Sequence, residues 1–238
     1  MQSILQQILY FFGHGLCHQY PERSFEAGGL YFSVCARDTG IFLGFVFTLV
    51  ILLLLYARTK DKPAALPPAW AVVVCVVLIL PLALDGASSY LGLRETNNLL
   101  RYLSGYLCGT GVAVLASGGV FSLWTRANHG LSAVSTPGRL STVLVASAAA
   151  GAAFYLVYPY LGAGAPLLVF VAQWLVFTLI VALILSSTTF WRKASTERKP
   201  AGNIPLFLLC ILGAGVVMAA MSFVASGFAL LFPWYVHP

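Results

Sequence analysis

Apolar positions run almost unbroken through most of this chain, in blocks of about twenty residues separated by short polar stretches. Continuous runs of that length predict helices able to cross a bilayer, whereas strict alternation would predict strands. The blocks fall at about 41–57, 69–84, 103–124, 140–160, 167–186 and 204–232, which gives six expected spans. Arg58, Lys60 and Lys62 end the first block, and Asp85 and Gly86 end the second, which carries Pro81 as an expected kink. Gly162, Gly164 and Pro166 predict a tight turn between the fourth and the fifth. Ahead of the spans, Ile4, Leu5, Ile8, Leu9 and Phe12 recur at helical spacing opposite Gln2, Gln6 and Gln7. Such an amphipathic segment is too short to span and suits the membrane interface. The expected architecture is all-α: a polytopic transmembrane helix bundle of about six spans with an N-terminal interfacial amphipathic segment. It divides into residues 1–40, which carry a Cys/His/Asp cluster, and residues 41–238, the six-helix membrane domain.

Composition agrees with that pattern. Hydrophobic residues make up 60% and charged residues 8%, with a mean hydropathy of +0.89. Soluble domains run near 25% charged, so this chain needs lipid as its solvent, and lipid admits only helices or closed barrels. The formal net charge of +6 does not point to nucleic acid, because no basic patch interleaved with aromatics exists to read it. The first basic residue is Arg23, so the positive n-region of a cleavable signal is missing.

The charges instead set orientation. The loops after spans one, three and five carry Arg58, Lys60, Lys62, Arg126, Arg139, Arg192, Lys193, Arg198 and Lys199, against the acids Asp61 and Glu197. The opposite side carries Arg23, Arg37, Arg94 and Arg101 with Glu22, Glu26, Asp38, Asp85 and Glu95. The positive-inside rule then puts both termini outside the cytoplasm of a multi-pass cell-membrane protein. Trp70, Trp124, Trp191, Trp234, Tyr56 and Tyr160 sit near span ends, as an aromatic belt does. In this topology the N-terminal polar segment and the stretch Asp85–Arg101 share one aqueous face and can meet.

Small residues mark expected helix contacts: Gly105, Gly109 and Gly111 in span three, Ala146, Ala150 and Gly151 in span four, Gly213 and Gly215 in span six. A small-solute transporter is disfavoured. No charge lies mid-span, where transporters place one, and Ser117, Gln173, Thr178 and Ser222 are the sparse polar residues left for a path. No phosphate loop, nucleophile elbow or haem-attachment motif is present, and His129 and His237 read as surface histidines.

The outer face holds the candidate chemistry. Cys17 and His18, with His14 just before them, are followed by Cys35-x-x-Asp38, the spacing of a chelating pair. Two thiols, imidazoles and a carboxylate are a ligand set for a divalent metal, above all zinc. A Cys17–Cys35 disulfide, which an oxidising outer face permits, stands beside that reading, as does a plain helix-capping role for Asp38. The histidines next to Cys17 tip the balance to metal. Cys75, Cys108 and Cys210 lie in apolar runs and behave as small hydrophobes. If residues 86–102 are helical, Arg94, Asn97 or Asn98, and Arg101 align on one face suited to a phosphate or carboxylate. A solvated interfacial helix, with arginines reaching lipid headgroups, is the plainer alternative.

The run Cys17-His18-x-x-Pro21-Glu22-Arg23-Ser24-Phe25, followed by Cys35-x-Arg37-x-Thr39-Gly40, resembles a family of prokaryotic polytopic membrane proteins catalogued as domain of unknown function 2085. Asp85-Gly86, Arg94-Glu95-Thr96-Asn97, Arg101 and Gly105 resemble that family's second motif. The resemblance covers roughly residues 14–105, while spans four to six match in hydropathy alone. It implies a shared polar pattern and no particular activity. Where the family pattern has Cys-x-Arg-Cys, this chain has Cys35-Ala36-Arg37-Asp38. Compared with a closed zinc site, that leaves a more oxygen-rich one or none, and Cys17 and Cys35 as the outer thiol pair.

The functional expectation is a membrane-embedded, metal-dependent hydrolase or transferase acting on a phosphate-bearing lipid. Cys17, His18, Cys35 and Asp38 would hold the metal, with His14 as a substitute ligand. Arg94, Asn97 and Arg101, with Arg23 and Arg37, would bind the anionic group of a lipid-linked substrate. Asp85 or Glu22 would serve as general base. The alternative is a non-catalytic accessory subunit, stapled by a Cys17–Cys35 disulfide and bound to membrane protein partners.

Overall fold

The computed structural model describes residues 3–123, 127–187 and 204–231. Gln2, Trp124, Arg126, Trp191, Arg192, Lys193, Glu197, Arg198, Lys199, Trp234 and His237, all named above, lie outside the described residues, as does position 232 at the end of the sixth expected span. Helix α1 covers Ile4–His14, α2 Ala36–Leu55, α3 Ala69–Tyr90, α4 Asn98–Ser122, α5 Pro137–Val157, α6 Gly164–Ser187 and α7 Ile204–Leu231. Two 3-10 turns (Pro21–Arg23 and Tyr158–Leu161) and four short strands complete the described fold: β1 (Glu26–Ala27) and β2 (Leu30–Tyr31) form an antiparallel hairpin, and β3 (Lys62–Ala65) pairs in parallel with β4 (Ala127–Ser132). Helices α2 to α7 are each long and apolar enough to cross a membrane, so the chain is an all-α, six-span bundle as the hydropathy predicts.

The ends of the helices follow local chemistry. Lys62 Nζ donates to the carbonyls of Tyr56 (2.5 Å), Ala57 (3.4 Å) and Thr59 (3.2 Å), satisfying acceptors left at the end of α2. Helix α3 continues through Pro81 and stops at Gly92, whose φ of 67° is left-handed. There Leu93 N–H reaches Ser88 O and Gly92 N–H reaches Ser89 O, the paired bonds of a glycine-terminated helix. Asn97 then caps α4, its Oδ1 accepting from Leu100 N–H at 2.8 Å. The joint between α3 and α4 is therefore a break. Arg94, Asn97 and Arg101 do not share one helical face, contrary to the expectation: Arg94 lies in the connection, Asn97 is the cap and Arg101 sits in the first turn of α4.

A second difference lies at the start of α2. The helix begins at Ala36, five residues before the expected span, and both charges in its first turn find partners. Arg37 binds Asp85 and Asp38 accepts from Cys35. This extension brings Gly40 into a Gly40-x-x-x-Gly44 face that meets Gly105-x-x-x-Gly109 of α4. A Cβ on Gly40 would strike the carbonyl of Tyr102, one on Gly44 that of Tyr106, one on Gly105 that of Arg37 and one on Gly109 that of Ile41. Backbone meets backbone there, the close packing that small residues permit in lipid. Helix α4 is consequently the most enclosed span, with α2 and α3 packed on it and α6 on α7.

Helix α1 is docked as well as amphipathic. Leu9 is fully buried, Gln173 Nε2 donates to Phe12 O at 3.0 Å, and Ser222 Oγ donates to Phe11 O. Ser33 Oγ bonds Gln173 Oε1 at 2.9 Å. The residues considered for a transport path are thus spent on internal bonds, since Ser117 and Thr178 likewise donate to carbonyls of their own helices. Residues before α2 also share the bundle's core: Phe25, Phe32 and Val34 are buried with Tyr102, Phe154 and Val169.

Candidate functional site

The cap at the N-terminal end of α2 brings two distant cysteines together. After α1 the chain turns tightly, with Leu16 and Cys17 N–H groups both donating to Gly13 O. Gln19 follows with φ 52°, a left-handed conformation uncommon for a residue with a side chain. It is held there by its own bonds. Its backbone N–H points to Cys17 Sγ at 3.5 Å, and its side-chain amide donates to Ser33 O at 2.5 Å. Ser33 stands two residues before Cys35, so Gln19 ties the Cys17 segment to the Cys35 segment. Strain of this kind concentrates at functional sites. The intervening chain folds back through the hairpin, where Gly28 and Gly29 both have positive φ, as a two-residue hairpin turn of this hand requires. Phe25 and Phe32 then anchor it against Tyr158 and its neighbours.

Cys35 is the N-cap of α2, and its Sγ donates to Asp38 Oδ2 at 3.2 Å. The thiols of Cys17 and Cys35 and a carboxylate oxygen of Asp38 all lie within 4.8 Å of one another. Tetrahedral zinc with bonds of about 2.3 Å to sulfur and 2.0 Å to oxygen needs ligand separations of roughly 3.5–3.8 Å. The trio therefore reaches that geometry with side-chain shifts of about an ångström. The two histidines do not join it. His18 is exposed and stacks on Tyr20 at 5.7 Å, and His14 stacks on Tyr10 at 5.4 Å. Burial, then the neighbouring charge of His18, hold His14 below the usual imidazole range. Among the described residues the ligand group is Cys17, Cys35 and Asp38.

The two thiols are not equivalent. The facing Cys35 thiol favours the thiolate of Cys17 and holds that thiol below its ordinary range, against the opposing effects of burial and of Asp38. Cys35 is pushed up by its closeness to Cys17, by burial and by the Asp38 carboxylate. Iodoacetamide is expected to label Cys17 before Cys35 in reduced, metal-free protein, because the thiolate is the nucleophile. Peptide mapping reads the order, and labelling of Cys35 first would contradict this assignment.

Cys17 and Cys35 face a cleft with a cavity volume of about 50 Å³, lined also by His18, Tyr20, Arg23, Arg37, Ser89 and Arg101. One water needs roughly 10–15 Å³ of such space, so the cleft suits a few waters or one small anionic group. Arg23 sits over the Tyr20 ring at 5.2 Å. Arg101 is nearly buried, and its Nη1 donates to Asn98 Oδ1 at 3.3 Å. Arg37 is pinned by Asp85, whose Oδ2 accepts from Nε at 3.1 Å and from Nη2 at 2.5 Å, while Oδ1 accepts from Arg94 at 3.0 Å. Both oxygens of Asp85 are thus engaged by guanidiniums, which fits an anchor better than a general base. Glu22, Arg94 and Asn97 are not among the cleft residues. Sequence reasoning missed Gln19 and Ser89, which carry no motif signal; Tyr20 lay inside the recognised run.

The family described as predicted membrane protein, DUF2085, has a model that matches residues 17–115, a stretch that includes every cleft residue. An uncharacterised protein of Methanothermobacter thermautotrophicus is 40% identical over 101 residues, covering 42% of this chain and 83% of its own length. An uncharacterised protein of Methanocaldococcus jannaschii is 34% identical over 94 residues, covering 40% of this chain and 56% of its own length. No solved structure matches the chain significantly.

Proposed function

We propose that this chain, which belongs to the DUF2085 family of predicted membrane proteins, is a metal-dependent hydrolase or transferase acting on a phosphate-bearing lipid at the outer face of the membrane. One observation carries the reading: three metal-ligand side chains converge beside a cleft lined by three guanidiniums. Catalytic zinc keeps three protein ligands and one open position, whereas structural zinc is closed by four. Cys17, Cys35 and Asp38 supply three. A zinc ion held by these three side chains would supply the nucleophile, by lowering the pKa of water towards neutrality. Arg23, Arg37 and Arg101 are suited to hold the anionic group through charge-assisted bonds. His18, in the same lining, is the group in place for proton transfer, a role that Asp85 and Glu22 fit less well.

The size of the cleft favours a headgroup over a whole lipid. Leu91 and Leu93, 72% and 76% exposed on the connection beside Ser89, suit the acyl boundary next to it. The opposite end of the bundle carries Arg58, Lys60, Lys62 and Arg139 with Asp61, which supports a cytoplasmic assignment for that end and an outer one for the cleft.

Purified protein is expected to carry one zinc per chain, measured by elemental analysis. Cys35→Ala should weaken zinc binding well beyond the ~10–100-fold typical of losing an outer-shell partner. Arg101→Lys should keep the zinc and lose binding to vesicles containing a phosphate-bearing lipid, since a bidentate guanidinium is replaced by a point charge. Protein that takes up no zinc after Cys17 and Cys35 have been reduced would overturn this reading in favour of an accessory subunit.

A further inference from the structure

We infer that Cys17 and Cys35 are also a redox pair, whose oxidation to an internal disulfide competes with metal for the same two sulfurs. The inference uses the thiols of the proposed metal site but does not require that a metal ever binds there. Both are free thiols in the structure. Their sulfurs lie within 4.8 Å of each other, and both line the open cleft. The other three cysteines, Cys75, Cys108 and Cys210, are buried in the spans, so the chain carries its own unreactive controls.

The geometry allows closure. A disulfide needs its sulfurs at about 2.05 Å, so a pair already within 4.8 Å has less than about 3 Å to close, and Cys17 sits in irregular chain just after α1 rather than within a helix. Cys35 is fixed by contrast, at the cap of α2 and hydrogen-bonded to Asp38. Cys17 is therefore the sulfur placed to attack first. With a low-molecular-weight disulfide RSSR as oxidant, Cys17 Sγ bonds to one sulfur, the S–S bond of RSSR breaks, and one RSH leaves with the Cys17 proton. Cys35 Sγ then bonds to Cys17 Sγ, the mixed disulfide breaks, and a second RSH leaves with the Cys35 proton. Two protein thiols are oxidised and one disulfide is reduced to two thiols.

The two occupants exclude each other. Metal binding needs thiolates, and a disulfide offers none. Oxidation on the outer face, where disulfides persist, would empty the site, and reduction would restore it. The structure thus assigns to these sulfurs a switch that sets metal occupancy by redox poise.

The test uses full-length protein in detergent, loaded with zinc where it takes zinc, and treated with oxidised glutathione. The expected result is loss of two of the five thiols, a cross-linked peptide pair joining Cys17 to Cys35, stoichiometric appearance of zinc on a chromogenic chelator, and full reversal by reductant. Asp38→Asn keeps both sulfurs and should weaken zinc binding while leaving the cross-link intact. Zinc-loaded protein that keeps all its thiols, or that stops at a stable glutathione adduct, would overturn the redox pair and leave the metal reading standing. A clean cross-link in protein that never binds zinc would support the redox pair and defeat the metal reading instead.

Discussion

Asp85→Ala is expected to destabilise the protein by roughly 3–5 kcal/mol, the range for removing one partner of a buried ion pair. Asp85 is 4% exposed and sits near the end of α3. Arg37, whose side chain is only 17% exposed, would lose both of its bonds and remain enclosed with an unpaired charge. Arg94 is half exposed and contributes little of this cost, because water takes over its partner's place. The effect is amplified by where the pair stands. Helix α3 is the least enclosed span, and Asp85 ties its C-terminal end to α2. Asp85→Asn keeps an acceptor and loses the charge, so it should fall between the alanine variant and the wild type. Thermal unfolding in detergent is the readout. An alanine variant that melts together with the wild type would show that the Arg37–Asp85–Arg94 cluster is not the clamp described here. The same loss should free Arg37 to reach further into the cleft, altering anion binding separately from stability.

Gly105→Leu should do more than lower stability: it should prevent α2 and α4 from closing. Even the first atom of a side chain at Gly105 would collide with the backbone carbonyl of Arg37, and a backbone atom cannot rotate aside. Overpacking by a methylene or two typically costs about 1–3 kcal/mol, and Gly105→Ala belongs at the upper end of that range for this reason. Leucine adds three further carbons with nowhere to go. Because Gly105 faces Arg37 and α2 starts at Ala36, separation of these helices would also displace Cys35 and Asp38. Zinc binding should fail together with monodispersity on size exclusion. The matched control is Gly86→Ala in α3, where a new Cβ meets nothing within 4 Å. There the substitution should be neutral or gain about 0.5–1 kcal/mol from helix propensity. Wild-type melting of Gly105→Leu would refute the close α2–α4 crossing.

Much of the site was legible from spacing. Cys35 and Asp38, three apart, do converge, because residues at i and i+3 at a helix start lie on one side. The arginines split into two groups for a reason that was also written in the chain. Gly92 and Asn97 are stop and start signals five residues apart, and they separate Arg94 from Arg101. The N-terminal charges misled in the opposite direction. Arg37 and Asp38 look like the limit of a span, yet each finds a partner, so α2 extends past them and recruits Gly40 into a glycine face. His14 and His18 stand beside Cys17 in sequence, but the turn after α1 directs Cys17 towards Cys35 and Asp38 and leaves His18 exposed at the rim.

What the sequence by itself determined is local or additive: six spans from the length of the apolar runs, the amphipathic character of α1, and the grouping of polar residues at the ends of the bundle. Hydropathy acts residue by residue, and a bilayer reads it without reference to the rest of the fold. Only the tertiary structure decided that Cys17 joins Cys35 and Asp38, that Asp85 clamps Arg37 rather than standing free, and that Gln19 takes a strained conformation to join two segments. Those outcomes depend on backbones from α2, α3 and α4 approaching within contact distance. No single segment encodes that approach, because each glycine, cap and charge gains its role only from the partner opposite it.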